Sequence, residues 1–142
     1  MPTANYIVVG GMAIVQQGFL RATEDIDLLL ESSRQNQVRV RKALEILPYK
    51  AVREMTEDDL DAYSVVRVAD EIVVDLMLSA CGIGYNDAVD QIECVEIQGV
   101  PIPFASAKLL LRTKQTYRDN IPDRIFLERK LGSEAADLDS LR

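Results

Sequence analysis

Three aspartates inside apolar, strand-like segments are the feature that most limits how this chain can fold. Asp25 and Asp27 belong to the segment DIDLLL, and Asp75 lies within VVDLM. Side chains alternate along a strand, so Asp25 and Asp27 point to one side while the apolar residues between and after them point to the other. Carboxylates in such surroundings are costly to ionise unless a positive charge compensates them.

Each aspartate also has a structural interpretation. Asp25 follows Thr23 and is placed to cap a turn, and Asp75 is placed to pair with Arg21 or Lys114. Inward-pointing charges also protect edge strands from aggregation. Taken together, an Asp-x-Asp strand and a later lone aspartate in a buried strand favour a metal site. Ligands that are all oxygen select Mg²⁺ or Mn²⁺ over zinc or copper.

The residue types in the chain restrict its chemistry. There is no histidine, which removes Ser-His and Cys-His nucleophilic catalysis and the usual zinc sites. The two cysteines, Cys81 and Cys94, lack the spacing of a metal motif and are expected to be buried as small hydrophobes. The net charge of −7 argues against broad nucleic-acid binding, and no sequence-specific DNA binding is expected. A polyphosphate would therefore need a cation to mediate its contact.

The order of strands and helices predicts an α/β (α+β) fold with a mixed β-sheet flanked by helices. Strands are expected at 6–9, 25–30, 63–68, 72–78, 94–97 and 100–102. Helices are expected at 12–17, 33–47, 106–116 and 122–131, and Gly132 is expected to end the last one.

The 142 residues are expected to form a single domain, 1–142, with a core at about 5–131 and a C-terminal tail at 133–142. The apolar stretches are too short to cross a bilayer, so no membrane partner is expected. Nothing resembles a secretion signal, and the expected location is cytoplasmic.

A glycine pair stands between the first strand and the acidic one. Gly10-Gly11 lets backbone N–H groups approach a phosphate at a helix start, although such a pair more often serves as a simple turn. Gly-Gly, thirteen residues, then Asp-Ile-Asp, with Asp75 on a later strand, resembles the signature of the DNA polymerase beta-like nucleotidyltransferase superfamily. The string VVGGMAIVQQGFLRATEDIDLLL is similar to minimal prokaryotic nucleotidyltransferases, including those of toxin-antitoxin and abortive-infection systems. An Arg-x-Thr commonly precedes Asp-x-Asp in those proteins, as Arg21-Ala22-Thr23 does here.

This resemblance, which runs from about residue 6 to residue 131, implies a metal-dependent transfer of an NMP from an NTP to an acceptor hydroxyl, with release of pyrophosphate. Asp25, Asp27 and Asp75 would be the catalytic and metal-binding residues, holding Mg²⁺ or Mn²⁺, and Asp75 would help to deprotonate the acceptor. The nucleotide-binding residues would be Gly10, Gly11, Arg21, Thr23 and Lys114. The expected partners are an NTP, with ATP as first candidate, an acceptor that is a protein, an RNA or a small molecule, and a cognate toxin or antitoxin.

Two departures from the family pattern keep other functions open. Many relatives carry a helix before the first strand, and many have Lys-Asp where this chain has Asp119-Asn120. A catalytically degenerate protein of the same fold, which binds a nucleotide or a partner, is therefore the main alternative. A plain metal-binding or structural protein is the third. Arg21 either contacts phosphate or holds an aspartate in an ion pair.

Overall fold

The computed structural model of the protein describes residues 3–113 and 121–140, which form a six-stranded sheet flanked by helices. The strands of this sheet are β1 (Tyr6–Val9), β2 (Asp25–Leu30), β3 (Val66–Ala69), β4 (Val73–Met77), β7 (Ile92–Ile97) and β8 (Val100–Ala105), while β5 (Ser79–Ala80) and β6 (Ile83–Gly84) form a separate hairpin. The helices are α1 (Gly10–Gln16), α2 (Arg34–Leu44), α3 (Asp59–Ala62), α4 (Tyr85–Ala88), α5 (Ala107–Thr113) and α6 (Ile121–Ser140), with a 3₁₀ turn at Ala51–Glu54.

The sheet has the strand order β3-β4-β2-β1-β8-β7. The pairs β1–β2, β3–β4 and β7–β8 are antiparallel, and the pairs β2–β4 and β1–β8 are parallel. This mixture of directions, with helices around it, confirms the predicted fold class. The parallel pair β2–β4 positions the candidate site residues, because it sets the DIDLLL and VVDLM segments side by side.

Two groups of buried apolar side chains hold the sheet and helices together. The first group joins β1 to α1, α5 and α6 and includes Ile7 and Leu109, which have no exposed surface. The second joins β2, β3 and β4 to α2 and the 3₁₀ turn and includes Leu30 and Leu76. Each such side chain contributes about 1.5–3 kcal/mol by its burial. Since Leu76 packs in the second group, Asp75 beside it on β4 points to the other side of the sheet.

Serines begin two of the helices, as the sequence predicts. The side chain of Ser33 accepts the backbone N–H three residues on at the start of α2. Ser106 does the same at the start of α5, over 3.2 Å. These caps satisfy N–H groups that have no partner inside the helix. The predicted extension of α5 to residue 116 lies outside the described residues.

The prediction that Gly132 ends the last helix is wrong, because α6 continues to Ser140. A glycine weakens a helix interior by about 1 kcal/mol relative to alanine without stopping it. A glycine that ends a helix usually takes a left-handed conformation, and Gly132 is not among the glycines with positive φ. Among the described residues, neither α6 nor any other helix is both long and apolar enough to span a bilayer.

The expectation that the two cysteines are buried is also wrong, since Cys81 and Cys94 are both exposed free thiols. Cys81 lies in the turn between β5 and β6, where its φ is 50°. Cys94 lies on β7, a strand at the edge of the sheet, where both Cys94 and its neighbour Glu93 are exposed. Local strand and turn geometry therefore outweighs the general preference of cysteine for burial.

Candidate functional site

The structure places the three aspartates of the sequence analysis on one face of the sheet. Asp27 of β2 lies directly opposite Asp75 of β4 in the parallel pairing, and Asp25 precedes Asp27 by two residues on the same strand. Partners in register point to the same side of a sheet, so the three carboxylates are neighbours. Asp75 is only 7% exposed, whereas Asp25 and Asp27 are half-buried.

An arginine that the sequence analysis did not single out lies among these carboxylates. Arg67 stands opposite Asp75 in the β3–β4 pairing. Its Nε and Nη2 donate to the two oxygens of Asp75 at 2.9 and 3.0 Å, and Nη2 also donates to Asp25 at 2.9 Å. The alternation Val66-Arg67-Val68 indicates that Arg67 points away from the apolar side of its strand. The sequence alone does not show that Arg67 faces Asp75, because that depends on the register of the β3–β4 hairpin.

The two aspartates around Arg67 favour its charged form. The hydrogen bonds to Asp75, the charge of Asp75 and the charge of Asp25 raise the pKa of the Arg67 guanidinium above its usual value. A guanidinium is already protonated at every pH at which proteins fold. Arg67 is therefore a permanent positive charge between Asp25 and Asp75.

The glycine pair lets two polar side chains approach the start of α1. Gly10 has a φ of +65°, and a Cβ there would lie 2.0 Å from Oδ2 of Asp27. A Cβ on Gly11 would lie 2.5 Å from Oγ1 of Thr23 and 3.0 Å from Nη2 of Arg21. Both glycines are thus required by the packing of the site itself, whether or not a phosphate binds there.

Arg21 forms the ion pair that was one of its two predicted roles, and its partner is Asp123 of α6. Its Nε and Nη2 contact the two oxygens of Asp123 at 3.0 and 3.1 Å. Asp75 does not pair with Arg21, which corrects one of the structural interpretations above. Nearby, Lys130 of α6 donates to the backbone oxygen of Gln17 at 2.8 Å. These contacts fix the segment that leads into β2, in which Thr23 donates to the Asp25 backbone oxygen at 3.4 Å.

We expect the replacement Asp123→Ala to lower the free energy of unfolding by about 2 kcal/mol. The carboxylate of Asp123 is 4% exposed, and its removal takes away both contacts that it makes with the guanidinium of Arg21. Because the Arg21 side chain is 33% exposed, hydration offsets part of the loss. Urea unfolding measures the loss. The matched control is Glu45→Ala, which removes an exposed pair with Arg53 and should cost below about 1 kcal/mol. Equal losses in the two variants would show that the Arg21–Asp123 pair is no more than a surface contact.

Two predicted features lie outside the described residues. Lys114, the remaining nucleotide-binding candidate and the other predicted partner of Asp75, falls there, as does Asp119-Asn120. Both therefore stay predictions of the sequence analysis.

The three carboxylates are neighbours, but their oxygens are not arranged around a common metal position. In the described ranges, no group of three or more His, Cys, Asp or Glu side chains is arranged to hold one metal ion. Arg67 contacts both Asp25 and Asp75. The three aspartates offer carboxylate oxygens, the ligands that hard divalent cations prefer. The cation that contacts two of them in this structure is the guanidinium of Arg67.

Two cavities share Asp27 in their walls. One, of about 460 Å³, is polar and open and includes Gly11, Arg21, Thr23 and Asp25. The other, of about 420 Å³, lies on the side of Gly10 and reaches the β5–β6 hairpin. A larger cavity of about 820 Å³ lies elsewhere, against α2, and no carboxylate lines it. We take the pair at Asp27 as the candidate functional site, because polar and titratable side chains converge there.

Comparison with known proteins supports the fold assignment. No protein-family model matches the sequence, and no curated protein matches it. Among solved structures, the chain is similar to the crystal structure of a proposed nucleotidyltransferase from Thermotoga maritima, with a TM-score of 0.51 and 15% sequence identity over 99% of this chain and 83% of that chain. At this identity the likeness shows a shared fold alone, a mixed sheet flanked by helices.

Proposed function

We propose that the protein is a nucleotidyltransferase that moves an NMP from an NTP to an acceptor hydroxyl and releases pyrophosphate. The parallel pairing of β2 and β4 carries this proposal, because it sets Asp27 opposite Asp75 with Asp25 alongside. The fold shared with the Thermotoga maritima protein and the Gly-Gly and Asp-x-Asp resemblance support the same class.

The donor set fits a hard divalent cation. Three carboxylates supply oxygen ligands on one face of the sheet, and the guanidinium held by two of them supports a preference for positive charge at this point. Asp25, Asp27 and Asp75 would therefore hold Mg²⁺ or Mn²⁺. When bound, such an ion supplies positive charge to the triphosphate and to the oxygens that gain negative charge during transfer.

In the proposed reaction, an oxygen of the acceptor attacks the α-phosphorus of the NTP. The bond between that phosphorus and the α–β bridging oxygen breaks, and its electrons leave with pyrophosphate. The acceptor hydroxyl gives its proton to a carboxylate, for which we propose Asp75. The rest of the work is positioning, which accounts for a large part of the acceleration in such transfers.

The residues that line the polar cavity support the proposed contacts with the triphosphate. Gly11, Arg21 and Thr23 line it, and Gly10 stands on the other side of Asp27. Since Arg21 already holds Asp123, its proposed role is to fix the segment that carries Thr23 and to add positive charge beside the cavity. Lys114 is kept in the proposal as a further triphosphate contact on the basis of sequence alone.

The biological setting of the proposal rests on the sequence resemblance. It comprises ATP as the first NTP to test, a cognate toxin or antitoxin as partner, and the cytoplasm as location. The acceptor is to be sought among protein side chains, RNA ends and small hydroxylated molecules.

Mg²⁺ or Mn²⁺ together with ATP is expected to stabilise the protein against heat. A ligand that binds only the folded state at a hundred times its Kd adds about 2.7 kcal/mol, which for a chain of this size corresponds to a rise in Tm of about 5–10 °C. Differential scanning fluorimetry with metal, ATP and both together measures it. Stabilisation by metal alone, with no added effect of ATP, would support the plain metal-binding protein instead.

Transfer itself is tested with two labelled forms of ATP. Label at the α-phosphate should pass to an acceptor in a cell lysate in the presence of Mg²⁺ or Mn²⁺. Label at the γ-phosphate should not enter macromolecules beyond the level that the same lysate shows without the protein, because it leaves with pyrophosphate. Transfer of the γ-label would identify a kinase and would refute the proposal.

The position of Arg67 gives the degenerate alternative a specific observation in its favour. A guanidinium that permanently satisfied Asp25 and Asp75 would leave the fold able to bind a nucleotide without chemistry. That protein would be stabilised by ATP without any divalent cation, and it would transfer neither label across a panel of acceptors.

A further inference from the structure

Arg67 occupies a position from which one cation contacts two of the three aspartates. Its guanidinium takes both oxygens of Asp75 and one of Asp25, with all three hydrogen bonds between 2.9 and 3.0 Å. The planar fork of a guanidinium matches the geometry of a carboxylate, so this contact is specific. The oxygens that it uses are also those that the proposed metal ion needs.

The charges at this contact are not balanced. Among the described residues, Asp25 and Asp75 share the one guanidinium of Arg67, which leaves one negative charge over within that part of the chain. Arg21, the other arginine near the acidic strand, is held by Asp123. A divalent ion in place of the guanidinium would neutralise both carboxylates at short range, where charge interactions are strongest.

The partners in this contact differ in their freedom to move. The Arg67 side chain is 59% exposed and belongs to β3, a strand at the edge of the sheet. The Asp75 side chain is 10% exposed and belongs to an inner strand. A long, exposed arginine can turn its guanidinium into water at little cost. The guanidinium can therefore leave this contact more easily than the buried carboxylate of Asp75 can.

We propose that Arg67 is an internal counter-ion that occupies the cation position in the metal-free protein and leaves it when a divalent ion binds. This inference rests on the proposed function, since it assigns the metal to the same aspartates. Arg67 is then a positioning residue. It holds neighbouring carboxylates together against their mutual repulsion, and it competes with the metal for their oxygens.

The affinity for Mn²⁺ without nucleotide tests this competition. Titration calorimetry compares the wild type with Arg67→Gln, which removes the charge, and Arg67→Lys, which keeps the charge but loses the fork. We expect Arg67→Gln to bind Mn²⁺ about tenfold more tightly, because one nearby positive charge is gone, and Arg67→Lys to fall between. The matched control is Arg53→Gln, at an arginine that is 64% exposed and whose one salt-bridge partner in the described ranges is Glu45. It should bind Mn²⁺ as the wild type does.

A second measurement follows the guanidinium directly. The Nε–H resonance of Arg67, assigned by its loss in Arg67→Gln, should move toward the position of a free arginine as Mg²⁺ is added. In chelator, Arg67→Gln should melt below the wild type, and Mn²⁺ should close the difference. A merely structural arginine would give the lower melting temperature without the gain in metal affinity.

The outcomes separate this inference from the function on which it rests. If the wild type binds Mn²⁺ and transfers a nucleotide, but Arg67→Gln binds the ion equally or more weakly, Arg67 is not a competitor and only this inference fails. If neither the wild type nor Arg67→Gln binds Mn²⁺, both the proposed metal site and this inference are refuted. If Arg67→Gln does not fold, the Mn²⁺ affinity of Arg67→Lys tests the inference instead. Tighter binding of Mn²⁺ than in the wild type supports the competition, and equal or weaker binding refutes it.

Discussion

Asp27→Asn is expected to reduce nucleotidyl transfer by about a thousandfold or more while leaving the fold intact. Asp27 lies opposite Asp75, follows Asp25 on β2 and forms part of the wall of both cavities at the site. Asparagine keeps the shape of the side chain and removes its charge, so a group that holds a cation loses several kcal/mol of transition-state stabilisation. The rate of transfer from α-labelled ATP measures the effect.

The control for this variant is Asp90→Asn. Asp90 is exposed and makes no contact with the described residues through a hydrogen bond or an ion pair. Its replacement changes the net charge by the same amount and should leave the rate within about twofold of the wild type. Circular dichroism melting shows whether Asp27→Asn is folded. A folded Asp27→Asn with nearly full activity would remove Asp27 from the reaction.

Gly10→Ala is expected to impair both stability and transfer. Its φ of +65° disfavours any side chain, and the new Cβ would stand 2.0 Å from Oδ2 and 2.9 Å from Cγ of Asp27. The backbone strain alone costs about 1–2 kcal/mol, and displacement of the carboxylate adds to it. We therefore expect a loss of about 3 kcal/mol in the free energy of unfolding and a fall in transfer of about a hundredfold.

Gly99→Ala separates the two contributions. Gly99 has a φ of +78° in the turn between β7 and β8, and a Cβ there meets nothing within 4 Å. This variant should show the cost of the backbone strain and keep full activity. In an Asp27→Ala background the extra cost of Gly10→Ala should shrink, because most of the clashing atoms are gone. An equal cost in both backgrounds would mean that Gly10 and Asp27 do not interact.

The part of the site that lies within one strand was predictable from sequence. Alternation alone puts Asp25 and Asp27 on one side of β2, and a lone aspartate in an apolar strand marks Asp75 as unusual. The helix caps at Ser33 and Ser106 were equally local, since each depends on a few neighbouring residues. The mixed sheet followed from the order of these elements.

Long-range pairing accounts for what the sequence did not reveal. The hydrogen bonds of Arg67 depend on the register of the β3–β4 hairpin and on the parallel pairing of β2 with β4. The partner of Arg21 is 102 positions away, at Asp123. No local pattern encodes either contact. Gly132 shows a different limit, because a residue type that often ends a helix lies here inside α6, which continues to Ser140.

The parallel pairing of β2 and β4 also has a consequence for how the protein is made. Asp27 emerges from the ribosome long before Asp75, and the chain between them includes α2, α3 and β3. A nascent chain that stops before Val73 has two of the three aspartates, Asp25 and Asp27, and lacks the strand that carries the third. The site proposed for nucleotidyl transfer can therefore be complete only after β4 has been synthesised and has paired with β2.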